Sequence, residues 1–389
     1  MSEHEAGAPR QLDAGARAAV VHVTLGKANQ DRANGVSVAV HQFAAGLAEI
    51  RAEVEVWGIT ATPEAPSPPR PYPLRLFPAT RSRFRLAPEL RRALEQLPAG
   101  TLLHLHGGLL PEMWAVARLA SARGLPFVLT PHGCYAARAL RHNRWRKALY
   151  RGLFDRSVLE GAALLHGVGT DSLNGLRSPR MQSKAVTIPN GYEVGEPPSP
   201  AETAELIVTY CGRLSPPKGV HELVAGFALV AGELPDLHLR MVGDGPARSS
   251  LEAEVARAGL SGRVHFTGAL FGEEKRAALR ASAGFALTSH HEGFPMALLE
   301  AAALGLPLLV SPGTGFTERV SRWGCGVNVG STEPRDVADA LRRLARQSAA
   351  DRRAMGERAR RMMEEELDRR IVAWRLEAEL YARARGGQP

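Results

Sequence analysis

The 389-residue chain lacks the marks of several protein classes. Its three cysteines, Cys134, Cys211 and Cys325, lie far apart and form no CxxC pair, which argues against a disulfide framework and a zinc site and fits a reducing compartment. No stretch reaches the roughly 18 uninterrupted apolar residues of a membrane helix. Residues 1–17 are polar, small and mixed in charge, without the apolar centre of a signal peptide, so a cytoplasmic protein with a loose N-terminal tail is expected. There is no GxxxxGK followed by Ser or Thr, and both Gly167-Val168-Gly169 and Gly243-Asp244-Gly245 lack the third glycine of GxGxxG. A P-loop enzyme and a nicotinamide dehydrogenase are thereby disfavoured. DxD, HExxH and cysteine clusters are absent, and nothing suggests a metal that handles phosphates. A recognition helix and an interleaved aromatic platform are missing too, so no nucleic-acid partner is expected.

What is present is an ordinary globular composition, 44% hydrophobic and 23% charged, in a length that suits two domains. The net charge is +9. Residues 1–200 carry 24 Lys and Arg against 16 Asp and Glu, and the remainder 25 against 24, so the excess of positive charge sits in the first half. Short apolar runs alternate with helical patterns: Ala19 to Leu25, Val54 to Ile59, Thr101 to Leu105, Phe127 to Thr130 and Leu164 to Val168. After a Pro-rich stretch at 197–200 a second series begins: Leu206 to Tyr210, Leu237 to Val242, Val264 to Thr267, Gly284 to Thr288 and Leu306 to Val310. This is the α/β signature of two doubly wound parallel sheets, whose ligands sit beyond the carboxyl ends of the strands, in a cleft between them. The expected division is a tail over 1–17, a first domain over 18–192, a linker over 193–204, a second domain over 205–366 and a C-terminal helix over 367–389.

Candidate chemistry clusters after strands. In Tyr210-Cys211-Gly212-Arg213-Leu214-Ser215-Pro216-Pro217-Lys218-Gly219 a cation, Lys218, stands at the start of a helix over about 220–230. The positive end of the helix dipole disfavours it there unless an anion is also present, and with Arg213 it makes a phosphate or diphosphate cradle; the alternative is two solvated cations. The second segment runs from His290 to Gly305 and predicts a helix over Pro295–Leu304. Phe294 cannot cap it through its side chain, so its first-turn N–H groups are open to a ligand, which Gly293 would let approach. Glu300, inside an otherwise apolar helix, needs a partner, either a hydroxyl-bearing ligand or an arginine such as Arg319. Glu292 and Glu300, eight residues apart, would be about 12 Å from one another at a helical rise, too far for a glycosidase pair. In the first half His132 follows a strand directly in Thr130-Pro131-His132-Gly133 and should face the cleft; His104 and His106 are weaker candidates, more often structural. Asn34 and Gly35 open a helix whose N–H groups could meet a phosphate. The stretch Arg138 to Arg151, basic and holding Trp145, Leu149 and Tyr150, is either an amphipathic helix for anionic lipid or an ordinary surface helix.

With these residues in view the sequence resembles the retaining nucleotide-sugar glycosyltransferases of family 4, also called group 1, which have the two-domain GT-B fold. The resemblance covers about Ala18 to Tyr381 and rests on GRLSPPKG at Gly212 to Gly219, VGDGP at Val242 to Pro246, VHFTGAL at Val264 to Leu270, and EGFPMALLEAAALG at Glu292 to Gly305 with its E-x7-E element. It implies that Arg213 and Lys218 bind the donor's diphosphate and Glu300 the ribose hydroxyls. It further implies that Glu292 and the backbone of Gly293, Phe294, Pro295 and Met296 meet the transferred sugar and its phosphate, and that His132 lies by the sugar from the opposite domain. Gly243 and Leu270 would border the base, and the last helix would cross back to the first domain. One departure stands out: Asn34-Gly35 replaces the glycine pair usual after the first strand. The implied reaction is metal-independent transfer with retention, in which charge on the leaving diphosphate is stabilised electrostatically and the leaving phosphate takes the acceptor's proton. The donor would be a UDP- or GDP-sugar, with no permanently bound cofactor. The acceptor would be a carbohydrate or lipid-linked saccharide, in polysaccharide or glycoconjugate synthesis, with the enzyme possible at the inner face of the plasma membrane. A nucleotide-sugar-binding protein or epimerase on the same fold is the alternative.

Overall fold

The computed structural model describes residues 19–28, 35–50, 52–64, 69–141, 143–169, 171–176, 178–196 and 206–386. The expected tail, Asn34 and most of the expected linker lie outside the described residues.

Parallel strands covered on both faces read as nearly continuous apolar runs, and those runs form two sheets. The first comprises β1 (Val20–Leu25), β2 (Val54–Thr60), β3 (Leu74–Pro78), β4 (Leu102–His106), β5 (Phe127–Thr130), β6 (Leu164–Gly167) and β7 (Ala185–Thr187), in the order β3-β2-β1-β4-β5-β6-β7. The second comprises β8 (Leu206–Cys211), β9 (Leu237–Val242), β10 (Val264–Gly268), β11 (Gly284–Leu287), β12 (Leu308–Val310) and β13 (Gly326–Asn328), in the order β10-β9-β8-β11-β12-β13. All named strand pairs are parallel. Strand order reverses between β1 and β4 in one sheet and between β8 and β11 in the other, and such switch points open the crevices in which α/β proteins hold ligands.

Helix Gly35–Glu49 buries Val38, Val40, Phe43, Ala44 and Leu47 on the first sheet. Gly46 is needed for a close approach: a Cβ there would overlap the carbonyl of Arg369. The C-terminal segment, helical over Arg369–Arg375, Leu376–Tyr381 and Ala382–Ala384, thereby packs on the first sheet's helix, and Tyr192 bridges to Asp368 at its start. Val372, Leu376, Leu380 and Tyr381 belong to one apolar core with residues of both sheets, while the opposite face of the first sheet has its own core around Trp57, Leu90 and Met113. The basic stretch from Arg138 is not one helix: Ala137–Arg141 and Arg144–Tyr150 are separated at Asn143, whose φ is 52°. The second continues through Arg151–Asp155 to Gly161. Among the described residues no helix is long and apolar enough to cross a membrane.

Candidate active site

A cavity of about 480 Å³ opens at the carboxyl ends of β8, β9, β10 and β11. Tyr210 to Arg213 follow or end β8, Val242 to Gly245 follow β9, Ala269 to Phe271 follow β10, and Leu287 and Glu292 come from the end of β11 and the loop after it. The first sheet contributes Gly35 and Val38 from helix Gly35–Glu49. Gly243 has no alternative residue in this arrangement: its φ is +141° and a Cβ would overlap the Gly212 carbonyl, so only glycine lets the two loops touch.

Two ion pairs line the cavity. Lys218, at the end of the short turn Pro216–Lys218 that leads into helix Val220–Val230, places Nζ 2.7 Å from both oxygens of Glu292. Ser289 Oγ also donates to Glu292 Oε1 at 2.6 Å. Glu300, in helix Met296–Ala303, is 5% exposed and pairs with Lys275 Nζ at 2.7 Å. The Tyr192 phenol lies close to Glu300. Loss of water, and next the Glu300 charge, push the Tyr192 phenol well above its ordinary range, so it stays a donor. The structural partner of Glu300 is therefore Lys275, not Arg319, which reaches Glu366 at 3.2 Å instead. Arg213 differs from the two lysines: it is exposed and lines the cavity, and among the described residues no acidic side chain pairs with it. Its backbone is fixed by Tyr210, whose hydroxyl donates to the Arg213 carbonyl at 2.9 Å.

The helix expected over Pro295–Leu304 spans Met296–Ala303, with Pro295 rather than Phe294 as the residue before it and no side-chain cap. Its first N–H groups thus lie at the cavity beside Phe294, Pro295 and Met296, all lining residues. Leu270, Gly243 and Gly35 line the same space. Gly293 and His132 do not, and face each other beside it: a Cβ on Gly293 would stand 3.7 Å from the His132 carbonyl and from Gly133 Cα. His132 has a φ of +49°, a left-handed conformation uncommon outside glycine and frequent at functional turns. Burial, and secondly His166, push its imidazole down to about 3, so the ring is neutral. It can hydrogen-bond, but it supplies no positive charge. Across the cleft, Arg138 donates to the His290 carbonyl at 3.3 Å.

Three residues of this site escape the sequence reading, Lys275, Tyr192 and Ser289. Lys275 had a usable signal, since it stands in the first turn of helix Gly272–Arg280, where a cation needs a nearby anion just as Lys218 does.

Two parallel sheets with a cavity at the carboxyl ends of strands, lined by Arg213, Lys218 and Lys275 as well as Asp244, Glu292 and Glu300, have the arrangement of a GT-B glycosyltransferase. Residues 196–362 match the family model of glycosyl transferases group 1, and residues 34–191 that of the glycosyl transferase 4-like domain. The glycogen synthase of Mycobacterium tuberculosis is 31% identical over 292 residues, 71% of this chain and 68% of that protein. The D-inositol 3-phosphate glycosyltransferase of a Nocardioides species is 28% identical over 335 residues, 77% of this chain and 71% of that protein. Among solved structures, the HepE protein of Anabaena with UDP and glucose superposes with a TM-score of 0.73 at 17% identity, covering 94% of this chain and 99% of its own. A sucrose-phosphate synthase from Thermosynechococcus elongatus gives 0.72 at 20% identity, covering 94% and 98%. The chain belongs to the glycosyl transferases group 1.

Proposed function

We propose that this glycosyltransferase moves a sugar, with retention and without a metal ion, from a nucleoside-diphosphate sugar to a carbohydrate or lipid-linked saccharide in polysaccharide or glycoconjugate synthesis. The observation that carries the reading is the polarity of the cavity. One part holds the exposed guanidinium of Arg213, Lys218 and an uncapped helix start, and another holds Glu300 with Lys275 and Tyr192 beside it. A diphosphate suits the first and ribose hydroxyls the second. Two cations, Arg213 and Lys218, together with the helix N–H groups supply positive charge where the leaving diphosphate develops negative charge, which is the task a metal would otherwise serve. Glu292 has both oxygens engaged by Lys218 and one by Ser289, so it is poorly suited to attack an anomeric carbon; this favours a mechanism in which the leaving phosphate receives the acceptor's proton. In this reading Gly293, Phe294, Pro295 and Met296 meet the sugar and its phosphate through the backbone, Leu270 and Gly243 border the base, and Gly35 approaches from the first domain with His132.

The donor in this proposal is a UDP- or GDP-sugar, and the relative solved with UDP and glucose supports the former. We place the domain limits at 18–192 and 205–366, with residues from 367 as the crossing helix, and the protein in the cytoplasm. The first domain would touch anionic membrane through Trp145, Leu149 and Leu153, 65%, 58% and 64% exposed at four-residue spacing, with Arg144, Arg146 and Arg151 beside them. Four-residue spacing puts the three on one helix face, apolar with a cationic rim, as a membrane-surface helix requires. The test is turnover in EDTA with the anomeric configuration of the product read by NMR: retained configuration at undiminished rate is expected, and inversion or loss of turnover with the chelator contradicts the mechanism.

A further inference from the structure

Five histidines of the first sheet lie in one hydrogen-bonded chain that the transfer mechanism above leaves unexplained. His132 Nε2 meets His106 Nδ1 at 3.0 Å, His106 Nε2 meets His22 Nδ1 at 2.8 Å, and His22 Nε2 lies 3.4 Å from the Tyr381 hydroxyl. The Tyr381 hydroxyl continues to His104 Nδ1 at 2.7 Å, and His104 Nε2 to Thr130 Oγ1 at 2.6 Å. Thr130 Oγ1 then meets His166 Nδ1 at 2.7 Å, and His166 Nε2 ends on the Ile188 carbonyl at 2.8 Å. His22, His104, His106, Thr130, His166 and Tyr381 are at most 1% exposed, so water does not stand in for a missing partner.

The far end determines every proton. A carbonyl oxygen accepts and never donates, so His166 Nε2 carries the hydrogen and the neutral ring has a bare Nδ1. Thr130 must then donate to His166, which obliges His104 Nε2 to donate to Thr130 and leaves His104 Nδ1 bare. Tyr381 accordingly donates to His104 and accepts from His22 Nε2. His106 Nε2 donates to His22 Nδ1, and His132 Nε2 to His106 Nδ1. All seven bonds point one way, from the cleft to Ile188. The reverse polarity would set the bare Nε2 of His166 against the Ile188 carbonyl, two acceptors in a dry interior. Burial holds the rings neutral, as the chain needs: His22 is pushed down to about 3, His166 to about 4, and His104 and His106 well below their ordinary value.

We propose that this chain locks His132 in its Nε2–H tautomer, so that it offers a bare Nδ1 as hydrogen-bond acceptor to a hydroxyl in the cleft. Tyr381, brought to the first sheet by the C-terminal segment, is the positioning residue that joins the two halves of the chain. Nδ1 of His132 is the one ring nitrogen of the chain that has no protein partner among the described residues. The lock depends on geometry alone; the statement that a sugar hydroxyl uses it rests on the transferase reading. His22, His104 and His106 also bring ring nitrogens within 4.8 Å of one another, but a metal ion there would take lone pairs that the chain already uses.

The test is two-bond proton–nitrogen NMR of the full chain labelled with ¹⁵N-histidine at neutral pH, without donor. All five imidazoles are expected as Nε2–H. A proton on Nδ1 of His132, or stoichiometric metal in the purified protein, overturns the proposal. Y381F should move His132 toward Nδ1–H, because the carbonyl no longer dictates the polarity of the cleft half; an unchanged Nε2–H signal overturns the role of Tyr381. If Y381F does not fold, T130V removes the same link on the other side and must give the same change. None of these readouts needs turnover, so an inactive protein with five Nε2–H rings would refute the transferase reading and leave the lock standing.

Discussion

Acidification from pH 7.5 to 5.5 should destabilise the first domain far more than the second. His22, His104, His106 and His166 are at most 1% exposed and all have their imidazoles depressed. Unfolded, each titrates near 6.5, so between those pH values the unfolded chain takes up protons that the folded one refuses, and stability falls as pH falls. For an ordinary histidine this interval is worth about 1.4 kcal/mol, so these four give about 5.5 kcal/mol, and His41 and His132, pushed down to about 4 and about 3, add in the same direction. At about 2–4 °C per kcal/mol for a domain of this size, the melting temperature should drop by roughly 10–20 °C. Asp155, whose carboxyl burial raises, titrates with the opposite sign and offsets at most part of this. Calorimetry at fixed ionic strength, with proton uptake measured on unfolding, reads the effect directly. A first-domain transition that moves by less than about 3 °C, against the shift that linkage demands, would mean that the imidazoles protonate while folded and that the buried chain is not as described.

Replacing Lys218 by Ala should cut turnover at least about 100-fold, as loss of a group that stabilises developing charge does, while circular dichroism stays unchanged; steady-state kinetics with a fixed donor checks it. Glu300→Ala should chiefly raise the dissociation constant of the nucleotide, measured by calorimetric titration, and unaltered affinity would remove Glu300 from the ribose subsite. Lys275→Ala leaves the buried Glu300 carboxylate without its counter-charge, which should cost about 3 kcal/mol or more in urea unfolding. Gly243→Ala forces a Cβ onto the Gly212 carbonyl, and should abolish nucleotide binding with the β8 and β9 loops displaced. The triple change of Trp145, Leu149 and Leu153 to Ser should end sedimentation with anionic vesicles at low salt, and equal sedimentation would place membrane contact elsewhere.

Ten of the thirteen strands were legible as short runs rich in apolar residues, although β9 and β10 alternate buried with more exposed positions. The three that were not, β3, β7 and β13, are edge strands: Leu74–Pro78 is half exposed and ends in proline, and the other two have three residues each. Edges are kept short and irregular because a long regular one invites pairing with other chains, and that is what removes their pattern. Residues that the structure brings to the candidate site were legible wherever one short motif supplied them, as with Arg213, Lys218, Glu292 and Glu300, which line one cavity. They were not legible where the partner is distant in sequence: nothing local ties Lys275 or Tyr192 to Glu300, and the chain from His132 to Ile188 requires Tyr381, 249 positions beyond His132. His104 and His106, taken as more often structural, are indeed buried, and what they support is the cleft histidine.

The central claim, a nucleoside-diphosphate sugar in the cavity between the sheets, is tested most directly by incubating the full chain without added metal against UDP-, GDP-, ADP- and TDP-sugars, following thermal stabilisation and release of free nucleotide. The account predicts that one donor class raises the melting temperature and is slowly turned over, and that Arg213→Ala and Lys218→Ala lose both effects. Stabilisation by a donor that persists unchanged in both variants would contradict it.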